Sequence, residues 1–384
     1  MSARLSAACL LTLSLIGCTG KNGKTDDVKV EPLTVPALGG GAHSLDAVTV
    51  TVIGSSDDGL RNPRDLGFNP EVPGELWVVS GSDDAMVIFD DAGGPNQASE
   101  RLIDPYALHF MDYPSSIAFG APMTFGTCQE SGNTYNGQGK ANYFMGPTLW
   151  SSNREIFAES NPEAVQYLTD LYGFHTDLGS HLDMLHESPY CMGMAWERDN
   201  VYWVFDGHNG AIGRYDFAVD HGVGYDDHSD GLISKYVTGS ILRVEDVPSH
   251  LEFEHETSYL YIADTGNNTI KVLDTLTGQP GSDLRKKESG TEHYEVDDAE
   301  MWNLIHGEDH GMVAPSGLAL VGEVVLITDN ATSTIWAFTV EGELIDHLTL
   351  DVEPGGLMGI WADSLDEIWV TDAVGKQVLR ISGN

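Results

Sequence analysis

The chain is 384 residues long, 41% hydrophobic and 9% aromatic, with 43 glycines, enough apolar material to bury a large core and too much for a disordered chain. Lys and Arg total 19 against 59 Asp and Glu, a formal net charge of −40. This excludes phosphate-driven nucleic-acid binding and adhesion to anionic membranes, and leaves cations, neutral glycans and basic peptides as compatible partners.

Arg4 precedes an apolar run over residues 7–16, followed by Gly17 and Cys18. This is the pattern of an export signal, with an apolar core shorter than the roughly 20 residues a bilayer span needs. Leu15, Ile16, Gly17 and Cys18 resemble the lipobox of bacterial lipoproteins. The resemblance implies a signal peptide over 1–17, lipidation of Cys18 and, because Thr19 rather than Asp follows, sorting to the outer membrane. The membrane is then a partner through the lipid anchor only. Residues 18–45 are polar and aperiodic, the composition of a flexible tether, and 46–384 remain for the folded body.

The body repeats. PSHLEF at 248–253 leads to YLYIAD at 259–264 and TIKVL at 269–273, a period-two alternation of half-buried strands broken by polar turns. Equivalent units begin at Pro63, Pro114, Met194, Pro315 and Gly359, and four of the six close their second strand on an Asp: Asp206, Asp264, Asp329 and Asp372. Units of several short strands repeated at this interval predict an all-β, six-bladed β-propeller. The PSGLA and ITD segments of the fifth unit resemble NHL repeats, a likeness that implies the fold and no particular activity. The sixth unit ends three residues from the C-terminus without a fourth strand. The alternating segment AVTVTVI at 47–53 is predicted to supply it and so remove an open edge.

Up-and-down strands place the turn before strand one and the turn after strand two on one face. Three long insertions map near it: residues 129–147 inside blade two, 159–188 between blades two and three, and 281–313 between blades four and five. Asn161 and Pro162 signal a helix ending near Gly173, and further short helices are expected at 181–186 and 297–305, together capping the channel mouth. Cys128 ends a second strand and Cys191 begins the next blade, which predicts a disulfide in an exported protein.

The same face gathers the ligand-binding candidates Arg64, Asp65, Tyr113, Asp206, His208, His250, Asp264, His310 and Asp329. Asp65 and His250 occupy one register position three blades apart, so they should face each other across the channel. With His306 and His310 they are the candidate ligands for calcium or zinc, although metal sites need three or four donors. The recurrent aspartates read first as caps on turn amides. The acidic run at 220–231 between strands three and four of blade three could also hold calcium, but lacks EF-hand spacing.

Three functions fit. One is a binding propeller whose loop-rich face takes a peptide, glycan or protein, with Tyr106, Tyr113, Tyr135, Tyr143, Trp150 and Tyr190 as stacking surfaces. The second is a metal-dependent lyase or hydrolase at the channel, by likeness to six-bladed peptidylglycine amidating lyases and gluconolactonase-like hydrolases. Of the three zinc histidines that the lyase likeness would imply, only His250 is in register. The third is a structural scaffold of the envelope.

Overall fold

The computed structural model describes residues 33–134 and 140–384. Cys18 and the signal segment lie outside these residues, as does Tyr135. The alternating segments pair into six sheets, and the first strand of each touches the first strand of the next, with the first and sixth also meeting. The result is a closed six-bladed propeller.

Blade one consists of Pro63–Phe68, Leu76–Ser80, Ala85–Asp90 and Ala98–Leu102, and the other blades follow the same meander. Six apolar clusters hold the ring, one at each interface between neighbouring blades. Between blades one and two, for example, Trp77, Phe125, Trp150 and Phe157 are fully enclosed. Each such aromatic removes roughly 150–250 Å² from water, so the second and third strands carry most of the packing and the outer strands are the exposed ones.

The N-terminal strand Val48–Gly54 pairs antiparallel with Gln377–Gly383, from Val48 opposite Gly383 to Gly54 opposite Val378. It is the outer strand of blade six, as its alternation predicted. Order begins earlier than residue 46. Val35, Ala37 and Leu38, within the stretch expected to be tether, are fully buried against blades five and six, and the Ala37 amide donates to the Leu365 carbonyl at 3.0 Å. Three apolar side chains in four residues are enough to anchor that turn.

The insertions differ from their expected places. Helix Pro162–Tyr172 forms with Asn161 as N-cap and Gly173 in the left-handed conformation after it, but it sits between strands three and four of blade two. It packs on the 217–231 excursion of blade three, where Asn161 donates to the Val223 carbonyl at 2.8 Å, and does not cap the channel. Residues 181–184 are a strand, His181–Met184, the outer strand of blade two. The segment expected to be helical at 297–305 lies in Glu292–Asp297 and Met301–His306, both strands. The chain between strands three and four of blade four crosses to blade three and adds two strands to its edge. Glu292–Asp297 runs parallel to Leu232–Tyr236, and Gln279–Asp283 forms the new border. Met301–His306 instead pairs with Thr269–Asp274 as the outer strand of blade four, whose open backbone groups outweighed the helical pattern, and Pro280 sits where a strand tolerates proline, on the outermost strand of blade three.

Candidate functional site

The face with the turns before strand one is closed at the axis. Arg64, fully buried, donates to Glu130 at 2.5 Å, and Arg243 donates to the other Glu130 oxygen at 2.6 Å. The Arg64 guanidinium lies 4.4 Å from the Tyr113 ring centre, and Tyr113 donates to Asp246 at 3.0 Å. Two of the predicted ligand residues, Arg64 and Tyr113, are therefore parts of a clamp whose Arg64–Glu130 pair is buried and whose outer members reach the surface. Glu130 and Arg243, its other members, were missed because one follows the second strand of blade two and the other lies in the loop between blades three and four.

Below the clamp the first strands approach closely at the register position of Asp65 and His250. A Cβ on Gly359 would lie 2.7 Å from Asp65 Cα, and one on Gly193 would overlap the Ser249 carbonyl. Asp65 and His250, 7% and 4% exposed, meet here at 3.5 Å between carboxylate and Nδ1. Asp65 accepts from the amides of Leu66 and Ile117, and the other imidazole nitrogen of His250 lies 3.0 Å from the Ser115 carbonyl. Burial pushes the Asp65 carboxyl up, opposed by His250 and the two amides. The expected pair across the channel thus exists, and it plugs the channel. The hollow beneath, about 250 Å³, opens towards the turns between strands one and two and is walled by Glu252 and by rings such as Phe68, Trp196 and Trp361.

The remaining candidates lie elsewhere. Asp206 accepts from the amides of His208 and Asn209 and from Lys235 Nζ at 2.6 Å. Asp264 caps the Leu242 amide, and Asp329 caps those of Val313, Ala314 and Ala331. These are the turn-capping roles the recurrence implied. His208 stacks on Tyr143 with centroids 4.4 Å apart. His306 is exposed at the end of an outer strand, and His310 lies edge-on to Phe338. Neither lines the channel hollow. Among the described residues no three His, Cys, Asp or Glu groups converge to hold a metal ion. In the acidic 220–231 run the side chains bind one another instead, with His221 Nε2 3.1 Å from Asp230 and His228 Nδ1 2.8 Å from Asp183 of blade two. Cys128 and Cys191 form the predicted disulfide, with Cα atoms 5.1 Å apart.

A second cavity, of about 620 Å³, lies at the outer rim between blades two and three. Six chain segments build it. The short helix Ala107–Phe110 between blades one and two brings Tyr106, His109 and Phe110. The 129–147 insertion brings Phe144. The end of helix Pro162–Tyr172 brings Tyr172 and Phe174. His186 follows the outer strand of blade two, Asp226 and His228 come from the blade-three excursion, and Glu288 comes from the turn between the two strands that the blade-four chain adds to blade three. His109 Nε2 lies 3.1 Å from His186 Nε2, and His186 Nδ1 is hydrogen-bonded to Glu288. Phe144 stacks on His186 at 3.7 Å, and Phe110 on His181 at 3.6 Å.

Burial sets the protonation of this group. It holds His109 down at about 3, helped by the neighbouring charge on His186 and His228, and keeps His186 and His181 well below the ordinary imidazole value. Glu288 is pushed up to about 7, again mainly by burial. For His228 burial also opposes charge, but hydrogen bonds to Asp183 and Asp226 outweigh it and raise the ring to about 9. With Glu288 ionised, His186 donates from Nδ1 and accepts at Nε2 from His109, a directed relay from carboxylate to cavity. His109, His181 and His186 are not among the candidate residues that the sequence offered. Their convergence depends on non-local pairing that no spacing signals.

No protein-family model and no curated protein sequence matches the chain. Among solved structures it is similar to an auxiliary nutrient binding protein from Bacteroides thetaiotaomicron, with a TM-score of 0.54 at 11% identity over 87% of this chain and 76% of that one. A second auxiliary nutrient binding protein, from Bacteroides ovatus, gives 0.50 at 13% identity over 88% and 77%. Regucalcin, a calcium-binding protein from Agrobacterium tumefaciens, gives 0.50 at 10% identity over 86% and 94%. At such identities the likeness shows the fold alone.

Proposed function

We propose that this chain is an exported, lipid-anchored binding propeller that takes a short glycan in the rim cavity of blades two and three. The observation that carries the reading is the cavity wall itself. Rings of Tyr106, Phe144, Tyr172 and Phe174 surround His109, His186, Asp226 and Glu288. Apolar ring faces stack on the C–H faces of a sugar, while imidazoles and carboxylates bond its hydroxyls. Its volume of about 620 Å³ lies within the ordinary range for ligand sites, roughly 300–1,000 Å³. The nutrient-binding description of two structural neighbours supports binding in general. Calorimetry of the body against a panel of oligosaccharides tests the proposal. A binding sugar should lose at least about tenfold in affinity on Phe144→Ala or Tyr172→Ala, roughly one aromatic contact. Retention of full affinity by both variants would sink it. Anchoring is tested separately by palmitate labelling in cells, which Cys18→Ser should abolish.

One observation favours a second reading. The Glu288–His186–His109 relay has the form of an acid–base device, with a carboxyl poised at about 7, near the pH where proton transfer is most effective. Under this reading the cavity cleaves or eliminates from the sugar it holds. Loss of turnover with retained binding in His109→Gln distinguishes an enzyme from a receptor.

A further inference from the structure

On the face opposite the Arg64 clamp, the blind channel runs into a groove of about 890 Å³ between blades four and five. The two hollows share Glu252, Phe253 and His255. The groove adds Glu254, Glu256, Glu323 and Glu341 together with the rings of Tyr259, Tyr261 and Trp302. Neither hollow is lined by a lysine or an arginine. Tyr259 and Trp302 meet edge to face, with centroids 5.3 Å apart. Among the described residues no group donates a hydrogen bond to the carboxylates of Glu252, Glu256, Glu323 or Glu341.

We propose that channel and groove form one site for a linear aliphatic polyamine, with one ammonium group beside Glu252 and a second among the groove carboxylates. Three features select that ligand. Aromatic faces beside carboxylates, with no competing basic side chain, favour an ammonium group through both charge and ring quadrupole. Carboxyl groups stand in two places, Glu252 at depth and the other glutamates along the groove, so a ligand with charges separated by methylenes can pair with both once Glu252 gives up its proton. The channel hollow, about 250 Å³, admits an unbranched chain end and excludes a peptide backbone with its side chains. A bare divalent ion is not matched, because no three carboxylate or imidazole groups converge among the described residues. The net charge of −40 adds long-range attraction for any polycation. This site is independent of the rim cavity and of the function proposed there.

Occupancy should be linked to a proton. Burial first, and the Asp65 charge second, push the Glu252 carboxyl up to about 8. The other ionisable groups facing it are Asp65, His250 and His255 on the channel wall and the four groove glutamates. At neutral pH Glu252 therefore holds its proton. An arriving ammonium favours the carboxylate and releases that proton, so affinity rises as pH approaches about 8 and levels above it.

Calorimetric titration of the folded body with spermidine at pH values from about 6 to 9 tests the proposal. The expected result is one site whose affinity rises by up to about tenfold per pH unit below the Glu252 value, with protons released to the buffer. Glu252→Gln should remove that slope and weaken binding at least about tenfold, and butylamine, with one charge, should bind correspondingly more weakly. Phe144→Ala at the rim should leave spermidine binding unchanged. If Glu252→Gln does not fold, the double variant Glu323→Gln/Glu341→Gln at the groove replaces it, with the same expected weakening. Absence of spermidine binding, affinity independent of pH, unchanged affinity in the variants, or equal binding of butylamine overturns the proposal.

Discussion

His109 and His186 stand 77 residues apart in the sequence and meet Nε2 to Nε2 at 3.1 Å, with Glu288 bonded to the far side of His186. Such a pair holds together only while at least one ring is neutral, because two imidazolium ions would oppose their N–H groups at that distance. Burial reinforces the choice by disfavouring charge on either ring. The cavity wall is thus also a store of acid sensitivity.

In the unfolded chain buried histidines take up protons below their ordinary value of 6.5, whereas folded His109 resists until about 3, and folded His293, outside the cavity on strand Glu292–Asp297, until about 4. Their contribution to stability is therefore complete above that ordinary value and is lost as pH falls below it. His109 alone should cost about 2 kcal/mol between roughly pH 6.5 and pH 5, at about 1.4 kcal/mol per unit. Glu288 works the other way, since a carboxyl raised to about 7 favours the fold most when protonated. Denaturant midpoints against pH should therefore be compared between the natural protein and His109→Phe, whose acid limb should be flatter. Parallel acid limbs would show that His109 does not titrate as described.

Glu130 joins two arginines of very different exposure. The Arg64 side chain is wholly enclosed, and that of Arg243 is 23% exposed. Glu130→Ala leaves a buried guanidinium without its anion and should cost about 3–5 kcal/mol. Arg243→Ala removes a partly hydrated partner while Arg64 still satisfies Glu130, and should cost less than half as much. Equilibrium unfolding of the two variants decides the order, and equal losses would contradict the clamp.

The blades, the closing strand, the disulfide and the aspartate caps were legible because each rests on a local signal or on repetition. The alternation of residues 47–53 needs only one open edge to pair with, and the ring offers one. Asp65 facing His250 followed from register alone. The rim cavity was not legible, since Tyr106, Phe144, Tyr172, His186 and Glu288 come from five segments whose meeting depends on where two loops go. The decisive event is the crossing of Gln279–Asp283 and Glu292–Asp297 to the edge of blade three, which brings Glu288 to His186. Edge pairing between blades leaves no periodic trace, and the two expected helices became strands because the third strands of blades two and four each needed an outer partner.

The Cys128–Cys191 bond ties strand two of blade two to strand one of blade three across 63 residues of chain. That loop includes the 129–147 insertion and helix Pro162–Tyr172, both walls of the cavity. Closing it should restrict the unfolded chain by about 4 kcal/mol. Cys128→Ala/Cys191→Ala should therefore unfold at clearly lower temperature, and addition of reductant should lower the natural protein towards the same midpoint but leave the variant unmoved.

Gly193 and Gly67 both lie on first strands, Gly193 at the level of Asp65 and Gly67 one step below it. A Cβ on Gly193 would press on the backbone of Ser249 and His250, which cannot retreat because the Ser249 amide donates to the Met192 carbonyl at 3.0 Å. A Cβ on Gly67 would make ordinary contact with the Phe119 ring at 3.4 Å and Ile117 Cγ2 at 4.0 Å, side chains beside the open hollow. Gly193→Ala should thus cost at least the 1–3 kcal/mol typical of about one methyl too many in a packed interior, and more if the ring of blades must widen. Gly67→Ala should be close to neutral. The contrast measures where the channel is shut: equal effects in thermal unfolding would mean that it is not pinched at the Asp65 level, and that His250 is reachable from both faces.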